Sequence, residues 1–305
     1  MEKIKRALER AERNRLAEKR AQTERPDAVA DVATHTTETI EEAANSAVDA
    51  QPIHRSQTLA PATTRAELPT IESRKIEFTQ TRRVVVDSKV LERNRLLQPG
   101  SGGDVERAYD LLASRVIEKI RNTGWNSIAL VSPASGEGKT VTGINLAMQI
   151  AASPERTALL VDMDFRRPSV ASYLGLNIET GVEDVLRGTA SVAEALVCPS
   201  IDRFCVLPAR EPSNRTADLI DSVHARSLAL ELRNRYANRV VLFDLPPLLA
   251  YGDALTFLAN VDAVIVVVTE GVTTQESMLA CMNELKGQNV IGSVLNRTTD
   301  LAAGY

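Results

Sequence analysis

The chain has 305 residues, 44% hydrophobic and 25% charged, a balance that suits one large soluble domain with additional material and not a fibrous or wholly disordered protein. Its 36 Lys and Arg against 40 Asp and Glu give a net charge of -4, so there is no overall electrostatic footprint for nucleic acid. No run nears the roughly 18 apolar residues that a bilayer crossing requires, and the N-terminus is charged and unlike a secretory leader, so a cytoplasmic location is expected.

Residues 1–25 (MEKIKRALERAERNRLAEKRAQTER) are rich in Ala, Glu, Lys and Arg, with Ile4, Leu8 and Ala11 on one face. They predict a charged helix, either solvated or docked on a partner or an anionic membrane surface. Residues 26–77 are dominated by Ala, Thr, Glu and Pro without periodicity and predict a disordered linker, because such a composition buries too little surface to offset chain entropy. The main domain is expected over 78–305. It opens with an extended stretch at Val84 to Val86 and a short helix, after which Pro99-Gly100-Ser101-Gly102-Gly103 punctuates the chain. Ala108, Leu111, Leu112, Val116 and Ile120 then recur at helical spacing within Val105 to Arg121.

From Asn126 onward, apolar β-branched runs alternate with helical segments: NSIALVS, ALLVD (158–162), FCVL (204–207), VVLFD (240–244), AVIVVVT (263–269) and VIGSVL (290–295). That order predicts an α/β fold with a mostly parallel sheet covered by helices on both faces. The three cysteines, Cys198, Cys205 and Cys281, have no metal-ligand spacing and are expected as reduced thiols.

Between the first core strand and a helix beginning near Val141 lies Val-Ser-Pro-Ala-Ser-Gly-Glu-Gly-Lys-Thr, residues 131–140. It reads as a nucleotide phosphate loop. Gly136 and Gly138 let backbone N–H groups turn inward, Lys139 supplies charge for the β/γ-phosphates, and the Thr140 hydroxyl is placed for Mg²⁺. The helix adds its positive N-terminal end. Pro133 stands where the general G-x-x-x-x-G-K-[ST] pattern has its first glycine, so the assignment rests on the strand–loop–helix context.

In a parallel sheet, ligands gather at the carboxyl ends of the strands. Asp162 and Asp164 follow ALLV in LLVDMDFRRP, and Asp244 closes VVLFD before Pro246-Pro247. Carboxylates there can hold Mg²⁺ or take a proton from an attacking hydroxyl, with a helix N-cap or turn role as the alternative for each. Arg166 and Arg167 could meet phosphate, the acidic residues, another subunit or only solvent. Asn296-Arg297 ends the last strand, where an amide could read a base edge or simply shape a turn.

Taken in order, SPASGEGKT, LLVDMDFRRP and VVLFDLPP resemble the bacterial tyrosine kinase family, cytoplasmic autokinases of capsule and exopolysaccharide assembly with a P-loop fold like that of MinD and ParA. The resemblance covers about Phe78 to Leu301. It is nearest the subgroup linked to exosortase systems, which also carries a charged N-terminal helix, a variable linker and a segment like VLERNRLL. It implies binding of ATP and Mg²⁺ by Ser135, Gly136, Glu137, Gly138, Lys139, Thr140 and Val141, with Asn296 at the adenine-reading position and Arg297 beside it. It further implies Lys139, Asp162, Asp164 and Asp244 as catalytic residues, Thr140, Asp162 and Asp244 around the metal, and Asp162 as base. The implied partners are a membrane-embedded chain-length determinant or polysaccharide co-polymerase and further copies of the chain, with no nucleic acid.

Two features depart from the family pattern. Aligning its E-A-Y-R-x-L-R-T motif on Tyr109 puts Arg107, Asp110 and Ala113 where the glutamate and two arginines stand, and the tail carries one tyrosine, Tyr305, as candidate phosphoacceptor instead of a cluster. Nine residue steps from Asn296 could extend roughly 30 Å, enough for Tyr305 to reach a neighbouring subunit. The alternatives are a MinD/ParA-like switch ATPase, against which Ala134 argues because those proteins carry a lysine at that position, and a nucleotide-binding scaffold of an export complex.

Overall fold

Four apolar runs become strands that are almost wholly buried: β2 (Ser127–Val131), β3 (Thr157–Asp162), β6 (Arg239–Asp244) and β7 (Ala263–Thr269). Strands buried on both faces need apolar residues at every position and not only at alternate ones, which is why these segments read as continuous hydrophobic runs. The computed structural model describes residues 81–98, 100, 102–213 and 216–298. The helix expected at 1–25, the linker at 26–77 and Tyr305 lie outside the described residues.

With β1 (Arg82–Val84), β4 (Val197–Pro199), β5 (Phe204–Leu207) and β8 (Val290–Asn296), the strands form one sheet in the order β1-β4-β5-β3-β6-β2-β7-β8. Every pairing is parallel except β4 with β5. Alternating side chains divide the core in two. Leu130, Leu160, Leu242 and Ile265 face a layer holding α2 (Asp104–Thr123) and α3 (Lys139–Ala152). Val131, Val161, Phe243 and Val266 face the opposite layer, which includes α4 (Val223–Asn234) and α5 (Asp253–Leu258). The α3 helix lies close on the sheet at Gly143, where a Cβ would come 2.6 Å from Leu130 Cδ1.

The strand here, β1, lies at Arg82–Val84 and so meets the stretch expected at Val84 to Val86 only at Val84, and the short helix after it is α1 (Ser88–Arg93), N-capped by Asp87. Beyond it, Leu97 N–H donates to Asn145 Oδ1 at 2.9 Å and Asn145 Nδ2 donates to Arg95 O at 3.2 Å. That amide on α3 fastens the pre-core segment to the domain.

The expectation of three thiols is corrected. Cys198 and Cys205 form a disulfide with Cα atoms 4.1 Å apart, and Cys281 is free and buried. The register Val197↔Val206 makes β4 and β5 an antiparallel pair that sets the two cysteines opposite each other. With only three residues in β4, the run carries too little periodicity to announce that pairing in the sequence.

Candidate active site

The phosphate loop leaves the end of β2, and α3 begins at Lys139, two residues earlier than the apolar pattern suggests, because Gly138 caps it with φ 83°. On the neighbouring strands, Asp162 and Asp244 are register partners at the carboxyl ends of β3 and β6. Lys139 Nζ pairs with Asp244 and lies 3.9 Å from Asp164 Oδ2. The Thr140 hydroxyl donates to the other Asp244 oxygen at 2.6 Å and sits 3.1 Å from the Ser169 hydroxyl. Lys139, Asp162, Asp164 and Asp244 are all buried. The sheet thus brings together four residues spread over 105 positions of sequence.

Asp162 is held by backbone N–H groups. Its Oδ1 accepts from Asp164 N at 3.2 Å, and its Oδ2 accepts from Ser169 N at 2.9 Å and Val170 N at 3.0 Å. Burial, followed by repulsion from Asp244, nevertheless raises its pKa to about 7 against the opposing pull of those amides and Lys139. Asp164 is also raised, mainly by burial, with Lys139 opposing. Its Oδ1 accepts from Arg167 N at 3.1 Å.

Around the loop itself, the Glu137 carboxylate turns inward, accepting from Ala134 N at 3.0 Å and from the Thr273 hydroxyl. The Glu137 carbonyl accepts from Thr269 Oγ1 at 3.0 Å and Asn296 Nδ2 at 2.9 Å, and the Gly136 carbonyl accepts from Arg297 Nη2 at 2.8 Å. A Cβ on Gly138 would collide with the Asn296 amide, so both its left-handed backbone and its close neighbour require glycine. Arg167 Nη1 donates to Ser135 Oγ at 3.0 Å. Val141 packs against the core, so its contribution to a ligand is limited to its backbone.

Arg166 is engaged by Asp253 and Tyr251. Its Nε and Nη2 lie 3.0 Å and 2.9 Å from Asp253 Oδ2, the same oxygen takes the buried Thr216 hydroxyl, and the guanidinium lies 4.1 Å from the Tyr251 ring centroid. Sequence reasoning misses Asp253, Thr216, Thr269 and Thr273. Asp253 opens α5 and reads as an ordinary first-turn acid, and the threonines have no local signal at all.

Among the described residues, no group of three His, Cys, Asp or Glu side chains is arranged as a metal cage. Mg²⁺ does not need one, since it takes one or two carboxylates together with substrate phosphates. The adjoining Thr140 hydroxyl and Asp244 carboxylate, with three carboxylates set against one lysine, fit such a shared site. The described tyrosines differ in access: Tyr236 and Tyr251 are exposed, and Tyr109 and Tyr173 are half-buried.

No family model matches the chain. It is 30% identical over 182 residues to the tyrosine-protein kinase YwqD of Bacillus subtilis, covering 57% of this chain and 75% of that protein. It is 29% identical over 182 residues to the tyrosine-protein kinase wzc of Salmonella typhi, covering 59% of this chain and 25% of that much longer protein. Among solved structures, the VpsO kinase domain superposes with a TM-score of 0.57 at 28% identity, covering 63% of this chain and 96% of that domain. Given the strand-end aspartates around Lys139 and these likenesses, the chain belongs to the bacterial tyrosine kinase family.

Proposed function

We propose that the protein is an ATP-dependent tyrosine autokinase that regulates exopolysaccharide or capsule polymerisation and export. The observation that carries this reading is the buried constellation in which Lys139 and Thr140 both bond Asp244 while Asp162 and Asp164 stand beside them. A loop that binds phosphate needs the lysine and backbone N–H groups, whereas a site that transfers phosphoryl also needs carboxylates to hold a cation and accept a proton.

In this reading Lys139 leaves Asp244 to meet the β/γ-phosphates, and Thr140 and Asp244 would hold Mg²⁺, with Asp162 close by. Bound Mg²⁺ supplies positive charge that offsets the charge of the phosphates. Asp162 accepts the phenolic proton, because its pKa of about 7 suits a base near neutrality and its Oδ1 accepts only one N–H among the described residues. As the tyrosine oxygen bonds the γ-phosphorus, the bond from that phosphorus to the leaving ADP oxygen breaks. Asp164, held by Arg167 N–H and near Lys139, orients the acceptor.

The acceptor tyrosine lies on the protein itself, with Tyr305 as candidate, or on a partner. The partner is a membrane-embedded chain-length determinant or co-polymerase, and further copies of the chain complete the assembly. No described helix is long and apolar enough to cross a membrane, which is consistent with membrane access through that partner. One observation favours a nucleotide-binding scaffold as second reading: Ala113, in the position of a family arginine, is buried in the core and offers no charge to a neighbouring subunit.

The test is incubation of the full chain with γ-labelled ATP and Mg²⁺, with and without the partner's cytoplasmic segment. Label on tyrosine in wild type and none in Lys139→Met supports the kinase. Nucleotide binding without tyrosine label under both conditions supports the scaffold.

A further inference from the structure

Three hydrogen bonds reach the back of the phosphate loop from the ends of the last two strands. Thr269 and Asn296 are register partners on β7 and β8, and both donate to the Glu137 carbonyl, at 3.0 Å and 2.9 Å. Arg297, next along the chain, reaches the Gly136 carbonyl at 2.8 Å. Its backbone is left-handed at φ 58°, an uncommon state for a side-chain-bearing residue, and its own N–H is taken by Asn296 Oδ1 at 2.9 Å. Both polar atoms of the Asn296 amide are therefore in use within the protein.

The geometric consequence follows from the planar trans peptide, in which the carbonyl of one residue and the N–H of the next point in opposite directions. Holding the Gly136 and Glu137 carbonyls towards β7 and β8 turns the N–H groups of Glu137 and Gly138 to the opposite side of the loop. Those N–H groups belong to the segment whose amides cradle phosphate in loops of this kind. A Cβ on Gly138 would strike the Asn296 amide, so the loop and the strand end are fitted to each other.

We infer that Asn296 and Arg297 are positioning residues that set the phosphate loop, so that the site recognises the triphosphate through oriented amides and does not select the base through Asn296. This rests on the reading of the loop as a nucleotide site. It does not require tyrosine transfer.

The experiment measures dissociation constants of the full chain for ATP, GTP and inorganic tripolyphosphate, each with Mg²⁺, in wild type, Asn296→Leu, Thr269→Val and Arg297→Gln. Loss of a loop-setting hydrogen bond is expected to weaken all three ligands by the same factor, roughly tenfold for Asn296→Leu. Arg297 is exposed, so Arg297→Gln keeps the test decisive if the Asn296 variant does not fold. Loss confined to ATP in Asn296→Leu, or unchanged affinity for tripolyphosphate in both Asn296→Leu and Arg297→Gln, would overturn the inference. So would failure of the wild type to bind any of the three ligands. Phosphotyrosine is read on the ATP samples with and without the partner's cytoplasmic segment, so a protein that binds triphosphate but labels no tyrosine under either condition defeats the kinase reading and leaves this one standing.

Discussion

Asp162 on β3 and Asp244 on β6 stand directly opposite each other in the parallel register, both wholly buried. Two carboxylates so placed do not readily ionise together, and Asp162 carries the consequence, with a pKa raised from 3.8 to about 7 by burial and then by Asp244. In metal-free protein, folded Asp162 keeps its proton across a range where the unfolded chain has lost it. The associated stability is fully present below about pH 4 and is lost as pH rises through about 7. Urea denaturation in chelator is expected to show stability falling between about pH 5 and about pH 7 in wild type, with a flatter profile in Asp162→Asn. Equal slopes in the two proteins would contradict this.

Lys139 is the one cation bonded to Asp244 among the described residues. Replacing it with Met leaves a buried carboxylate without its partner, a change that typically costs about 3 kcal/mol or more. Adding Asp244→Asn removes the stranded charge, so the double variant is expected to be more stable than Lys139→Met alone while remaining unable to bind nucleotide productively. Denaturation midpoints of the four proteins in the cycle measure this.

Asp253 gathers Arg166 and Thr216 onto one oxygen, and Arg166 lies on the loop whose Arg167 N–H holds Asp164. Asp253→Asn keeps the shape and loses the charge. Turnover is expected to fall about tenfold with KM for ATP changed far less, because the effect is on placement of the acidic loop and not on phosphate contacts. A rise in KM at unchanged kcat would contradict that division.

The Cys198–Cys205 disulfide closes a short loop, with a sequence separation of 7, and lies away from the phosphate loop on β4 and β5. Short loops restrict the unfolded chain only modestly, so Cys198→Ala with Cys205→Ala is expected to lower stability by about 2 kcal/mol and leave nucleotide affinity unchanged. Thermal unfolding and nucleotide titration of the double variant check both parts.

The elements that carry the chemistry are legible in sequence because each is local. A glycine-rich loop after an apolar run, and an aspartate closing an apolar run, mark strand ends without any knowledge of pairing. That Asp162 and Asp244 are neighbours is a property of the strand order β3-β6-β2, which no local pattern states. Asp253, Thr216, Thr269 and Thr273 escape for the same reason, since each acts on a segment 37 to 136 residues away. The inward turn of Glu137 is equally hidden: in a loop a glutamate reads as solvated, and only its burial against Thr273 and Ala134 shows otherwise. The antiparallel β4 and its disulfide are missed because three residues give no usable period.

The proposed function requires this constellation to transfer phosphoryl to tyrosine. Mass-spectrometric mapping of phosphotyrosine on the full chain, co-expressed with its membrane partner, tests it most directly when wild type is compared with Asp162→Asn and Lys139→Met. Phosphotyrosine on the wild-type chain or the partner, lost in both variants, is the result predicted. Its absence from wild type, or its persistence in Lys139→Met, would contradict the claim.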